Sequence, residues 1–295
     1  MAATLKQSPP ALSAWKIILF ISACIGVFVV IAITCDVLTS WIEPKLLRIA
    51  IREILLRTPL TIYALHVFAA KVIKIYAPSS IYGRLTLYNT CKWMIYGLLL
   101  PTVVWLLYYL LHLIAPFQHT ILMNNAEKIQ LLVKWSSISI AAGLTEEVLF
   151  RGHLLMILRS RLSVAKSVAI SSLIFSLVHI FMLTQITPAD IVIVVFGGII
   201  AGSMFAYVYL YTKVIWYAAI VHIIWDIFFI GKITAVAASQ TDANQTVMAF
   251  KLNTKNLLFN GGNFGLEAGL PCLVVCLAAA AALYYLSKKN KSLLT

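Results

Sequence analysis

The chain has 295 residues, of which 62% are hydrophobic and 11% charged, at a mean hydropathy of +0.95. Soluble domains carry about 25% charged residues, so this composition excludes an ordinary soluble fold and predicts several membrane spans. The net charge of +13 does not read as a nucleic-acid footprint. The basic residues gather in short segments between apolar runs, as positive-inside topology requires.

Apolar runs at 15–35, 93–115, 135–158, 167–184, 191–211, 214–231 and 267–287 each approach the ~20 residues that a spanning helix needs. The first is too long for the apolar part of a signal peptide and lacks a small-residue cleavage site, so it is expected to remain as a helix. Between the first two runs, "EPKLLRIAIREILLRTPLTIYALHVFAAKVIKIYAP" at 43–78 places Arg48 and Arg52 on one helix face and Lys71 and Lys74 on another. That pattern predicts amphipathic helices lying in the membrane surface, with a short eighth span at 60–77 as the alternative. The segment 45–76 then reads either as a gate for substrates reaching the protein from the cytoplasm or as a passive surface anchor. The expected fold class is an all-α, polytopic membrane helix bundle of seven or eight spans with interfacial helices. Three parts are expected: 1–92, an N-terminal helix plus the amphipathic segment; 93–231, a helix bundle whose motif core is 135–231; and 232–295, a polar loop and the last span.

Seven spans put the basic clusters of 36–92, Arg159 to Lys166, Lys213 and Lys288 to Lys291 on one cytoplasmic face. They also make the N-terminus external, against the charges of Lys6 and Lys16. The five cysteines form no CxxC pair and fall mostly in apolar runs, so neither a disulfide framework nor a thiolate metal site is expected. "NGG" at 260–262 predicts a turn, and Asn244-Gln245-Thr246 fits a glycosylation acceptor, a pattern common by chance.

A charge at the bilayer centre costs at least ~2.5 kcal/mol on insertion scales, so each such residue is a functional candidate by default. Glu146, Glu147, Arg151, His179, His222 and Asp226 fall deep inside predicted spans. Glu147 and Arg151 are four apart and can pair on one face. Glu146 points about 100° away, without that partner, and a desolvated carboxylate of this kind can act as a general base. His222 and Asp226 are also four apart, and His179 comes from a separate helix. If those helices pack together, Glu146, His179, His222 and Asp226 converge at mid-membrane depth. The competing reading is polar glue between helices. His153 is near a helix end and is expected to snorkel to the surface. Asp36, Glu43 and Glu53 read as interfacial charges, and His66, His112 and His119 carry no assignment.

"EEVLFR" at 146–151 fits EExxxR, "FSLVH" at 175–179 fits FxxxH, and "HIIWD" at 222–226 is close to HxxxN. In this order, each within an apolar helix, the three motifs resemble those of the CPBP (CAAX protease and bacteriocin-processing, or Abi) family of intramembrane proteases, over roughly 135–231. The resemblance implies that Glu146 and His179 activate a water, that His222 and residue 226 stabilise an oxyanion, and that Glu147 and Arg151 support them. It implies an intramembrane endopeptidase acting on a membrane-bound or membrane-inserting peptide or protein within the lipid bilayer, in a prokaryotic cytoplasmic membrane. Asp226 departs from the commoner asparagine: an ionised aspartate cannot donate to an oxyanion, so it is protonated, orients His222 or binds a metal. The cofactor expectation is none, or a divalent metal such as zinc held by Glu146, His179 and His222; no HExxH is present. The alternatives are a catalytically silent immunity or scaffold protein on the same fold, and a proton-coupled transporter, against which stands the absence of a second copy of the glutamate motif.

Overall fold

The computed structural model describes residues 12–118, 123–183, 186–231 and 233–290; Lys6, His119 and Lys291 lie outside them. It is an all-α bundle, 78% helical. Five helices are long and apolar enough to cross a membrane: α1 (Ala14–Thr39), α3 (Leu87–Leu110), α5 (Val164–His179, extended by a 3-10 turn to Met182), α6 (Pro188–Thr212) and α8 (Leu270–Lys289). Three more helical rods pack among them: α2 (45–73), α4 (125–159) and the shorter α7 (Ile215–Phe229). Many of their large apolar side chains, such as Ile18, Val30, Leu99 and Phe196, point outward. Such a surface belongs in lipid, and the chain is a multi-pass membrane protein.

The largest departure from expectation is α2. The sequence predicts surface helices at 45–76, with a span at 60–77 as the alternative; the structure has one continuous helical rod from 45 to 73. It packs against α1 and α4. Lys45 and Ile49 share a groove with Glu127 and Leu131 at one end of the bundle, and Tyr76 reaches His153 of α4 farther along. Lys45 and Lys71 are exposed, but the charges between them are paired. Asp36 of α1 pairs with Arg48 and Arg52, while Glu53 is 3% exposed and bonded to Arg52 and Arg57 at 2.9 Å each. Pairing lowers the cost of burying Glu53, which is not the interfacial charge the sequence suggests, whereas the Asp36 side chain keeps 54% exposure.

The start of α1 lies beside a basic turn and not across the bundle from it, as seven spans would require. Arg161, in the α4–α5 turn, donates to the Leu12 carbonyl at 3.2 Å, so the start of α1 lies on the same side as that basic turn. Lys16 then joins Arg84, Arg161 and Lys213 on one face, in keeping with the positive-inside rule. At the opposite end, the 230–269 connection holds a small sheet that the sequence does not predict. β1 (Ile114–Pro116) pairs antiparallel with β3 (Met248–Leu252), which pairs parallel with β2 (Thr234–Val236).

Two close approaches position the polar interior. A Cβ on Gly143 of α4 would sit 2.9 Å from the Ile223 nitrogen and 3.2 Å from the Ala219 carbonyl of α7. Only glycine permits that backbone contact, one turn before Glu146. On α6, Gly202 lets Ser172 of α5 close in, and its own carbonyl accepts from Arg151 Nη2 at 3.2 Å. The helices bearing the three motifs are therefore drawn together by small residues between them.

Candidate active site

Glu147 opens a π-helical stretch within α4 (Glu147–Leu154), a local widening that recurs at functional sites. Its carboxylate is fully buried and bridges two elements. Oε1 lies 2.9 Å from Arg151 Nη1 on its own helix and accepts from His222 Nδ1 of α7 at 2.9 Å. Arg151 is 1% exposed, with its guanidinium 4.3 Å from the Phe175 ring centre and 5.5 Å from that of Phe205. A buried charge pair is costly unless further bonds satisfy it; the His222 ring, the Gly202 carbonyl and the two aromatic faces meet part of that cost, while Glu147 Oε2 and, beyond its ion pair, Arg151 Nη1 have no hydrogen-bond partner among the described residues. The i,i+4 pair was legible in the sequence, but the bond to His222, 75 residues away, was not.

His222 is hydrogen-bonded at Nδ1, faces a carboxylate at Nε2 and is stacked on one face. Nδ1 donates to Glu147, Nε2 lies 3.5 Å from Asp226 Oδ1, and the Phe205 ring stacks on it at 4.4 Å. His179 ends α5 and donates from Nδ1 to the Phe175 carbonyl at 2.8 Å. That bond leaves Nε2 as the acceptor nitrogen, and it points at Glu146, 3.9 Å from Oε2. The separation exceeds a direct hydrogen bond and suits an oxygen held between the two. Glu146 and His179 keep 15% and 14% side-chain exposure, whereas Glu147 keeps none. All six residues singled out in the sequence are thus brought into two groups, the pair Glu146–His179 and the trio Glu147–His222–Asp226, with Arg151 behind the second.

A cavity of about 210 Å³ adjoins them, lined by His179, His222 and Asp226 together with Phe264 and Glu267. It lies beside the 183–187 and 230–269 connections, at the end of the bundle opposite the basic face. No residue of 45–76 lines it, so the segment expected to act as a gate is not at this opening. Glu267 was missed by sequence reasoning, which starts the last span at that residue. The helix begins at Leu270, and Glu267 belongs to the 3-10 turn Leu266–Ala268 before it. The available signal was an acidic residue among glycines at the lip of an apolar run. Burial, with a smaller contribution from Glu146, raises its carboxyl to about 7 against the Trp225 indole bond and His222.

His153 corrects another expectation. It does not snorkel to the surface; it is fully buried, and the Tyr76 hydroxyl bonds its Nδ1. Helix α2 covers the position that would otherwise have opened to the interface.

The zinc alternative does not fit this arrangement. Among the described residues no three His, Cys, Asp or Glu side chains gather as a metal-binding set.

Residues 128–228 match a family model described as Type II CAAX prenyl endopeptidase Rce1-like. The family of that model is the CPBP family, to which this segment is similar. The match covers about a third of the chain and includes all six motif residues. No curated protein and no solved structure matches the chain. The CPBP family is one of intramembrane endopeptidases that act on membrane-associated proteins.

Proposed function

We propose that this protein is an intramembrane endopeptidase that hydrolyses a peptide bond of a membrane-associated peptide or protein, in the cytoplasmic membrane of a prokaryote, by water activated at Glu146 and His179. The observation that carries this reading is the Glu146–His179 pair. The tautomer of His179 is set by the Phe175 carbonyl, and the 3.9 Å gap suits one oxygen between the two side chains.

A water in that gap would give one proton to Glu146 while His179 Nε2 orients it. The hydroxide oxygen then bonds to the scissile carbonyl carbon, and the carbonyl π electrons move onto oxygen. The proton on the His222 Nε2–Asp226 edge, whichever of the two groups carries it, is the donor aimed at that oxyanion. In this arrangement a proton on His222 Nε2 or on Asp226 does what the commoner asparagine does with its amide. Glu147 and Arg151 hold His222 in register from behind. Glu146 finally passes its proton to the departing nitrogen as the C–N bond breaks, leaving an amine and a carboxylic acid, which ionises. No step here needs a metal.

The test compares membrane-protein N- and C-termini from cells expressing wild type or Glu146→Gln at matched levels. Peptide ends present with wild type and absent with the variant are the expected result, and they name the substrate. Identical end profiles, with any wild-type phenotype kept by the variant, would sink the protease reading in favour of a silent scaffold or immunity role.

A further inference from the structure

Glu267 lies outside the family segment, yet it is built into the cavity wall as firmly as the motif residues. The turn that carries it is clamped on both sides. Asp190, at the start of α6, accepts from the Asn263 backbone at 2.9 Å and from its side-chain amide at 2.8 Å, and Thr187 also donates to it. The Tyr108 hydroxyl of α3 reaches the carbonyls of Phe259 and Leu266 at 2.7 and 3.1 Å. Gly261 has φ of +73°, and any side chain there would collide with the Gly265 carbonyl. Such a turn is pre-organised rather than adaptable.

The clamp delivers one carboxyl into a cavity whose remaining wall is chiefly apolar. Among the described residues Glu267 makes no ion pair; its one hydrogen-bond partner is Trp225 Nε1 at 3.4 Å. Every other carboxyl of the site has a basic partner: Glu147 has Arg151 and His222, Asp226 has His222, and Glu146 has His179. The chain owns ten acidic residues against twenty-three basic ones, and four of those ten meet here around one guanidinium. The cavity is the acidic place in a basic protein.

Resting on the protease reading above, we infer that Glu267 is a specificity-determining residue that accepts a lysine or arginine side chain of the substrate beside the scissile bond. A substrate cation supplies the partner that the protein withholds from this carboxyl, in a pocket where apolar walls accommodate the aliphatic stem. A carboxyl raised to about 7 has most to gain from that partner. His222 and Asp226 line the same cavity, and the charge of Glu146 also reaches Glu267. The preference for a basic side chain is expected to strengthen as pH rises from 6 to 8.

The experiment uses the full-length protein in lipid nanodiscs and a set of apolar peptides that differ only in having lysine, arginine, norleucine or glutamate at each position in turn. Cleavage is mapped by mass spectrometry. The readout is the ratio of cleavage beside basic residues to cleavage beside norleucine, which a partial loss of folding leaves unchanged. Wild type is expected to show a ratio of about tenfold or more, Glu267→Gln a ratio near one, and Glu267→Arg a shift toward glutamate. A wild-type ratio near one, or the same ratio in Glu267→Gln, overturns the inference while leaving the protease reading intact. If no cleavage exceeds that of Glu146→Gln, both fall together.

Discussion

Two places in this protein use the same device and end differently. In α2, Glu53 and Arg57 form an i,i+4 pair within a π-helical stretch, Ile51–Arg57; in α4, Glu147 and Arg151 do so within another, Glu147–Leu154. Both glutamates are buried, but their surroundings diverge. Glu53 is flanked by two arginines, and the neighbouring Asp36 takes the charges of Arg48 and Arg52. Acid and base neutralise each other, and among the described residues neither a bonded histidine nor the candidate-site cavity adjoins them. Glu147 shares one arginine with a histidine, and that histidine reaches a second carboxylate, beside a cavity. The difference teaches that a glutamate–arginine pair inside a membrane helix is a way of installing a buried charge. What makes chemistry possible is the titratable surplus placed around it.

The sharpest way to break this comparison is to remove the carboxylate charge at each place. Glu146→Gln is expected to lower cleavage by about a thousandfold or more, within the range of a lost general base. Glu53→Gln should leave cleavage within about twofold at equal folded protein. Both are read with whichever substrate the terminus comparison identifies. Loss of activity in Glu53→Gln with a normal melting profile would mean that the α1–α2 pair belongs to the mechanism after all.

The second comparison is one of stability, and its sizes should differ in a stated order. Arg151→Met leaves Glu147 buried with His222 alone, and stranding a buried charge costs about 3–5 kcal/mol. Arg57→Met leaves Glu53 with Arg52, and both arginines are partly exposed, at 20% and 24%. A cost of about 1 kcal/mol is expected there. Thermal unfolding in one detergent, followed by tryptophan fluorescence, ranks the two; equal costs would show that Arg52 gives Glu53 no second support.

The same contrast explains which features the sequence disclosed. Glu146, Glu147, Arg151, His179, His222 and Asp226 were legible because a charge in an apolar run is expensive, so its presence needs a reason. The rods of α1 and α3 to α8 were legible from apolar length, to within a few residues at most ends. Helix α2 was hidden by the same logic. Arg48, Arg52 and Arg57 looked too polar for the interior because their partners, Asp36 on the neighbouring helix above all, cannot be assigned from spacing within one helix. His153 was hidden likewise: its place was decided by Tyr76, 77 residues away. Glu267 fell where an apolar run begins, and only the clamp by Asp190 and Tyr108 shows that it turns inward.

The smallest expected effect concerns Glu267 and reports whether the site truly holds a carboxyl without a cation. Its folded value is raised from 4.5 to about 7, so the folded state binds the proton more tightly than the unfolded chain. The sign follows from linkage: this group's contribution to stability is complete below about 4.5 and is lost as pH rises through about 7. Wild-type protein should therefore melt about 3 °C or more lower at pH 8 than at pH 5, beyond the change seen in Glu267→Gln, since a shift of ~1 kcal/mol moves the melting point of a chain this large by a few degrees. Parallel pH profiles for the two proteins would mean that Glu267 is already compensated, and the site would then resemble the α1–α2 cluster more than its geometry suggests. A steeper profile in wild type would place the surplus acid where the cavity needs it, at the wall facing the incoming chain.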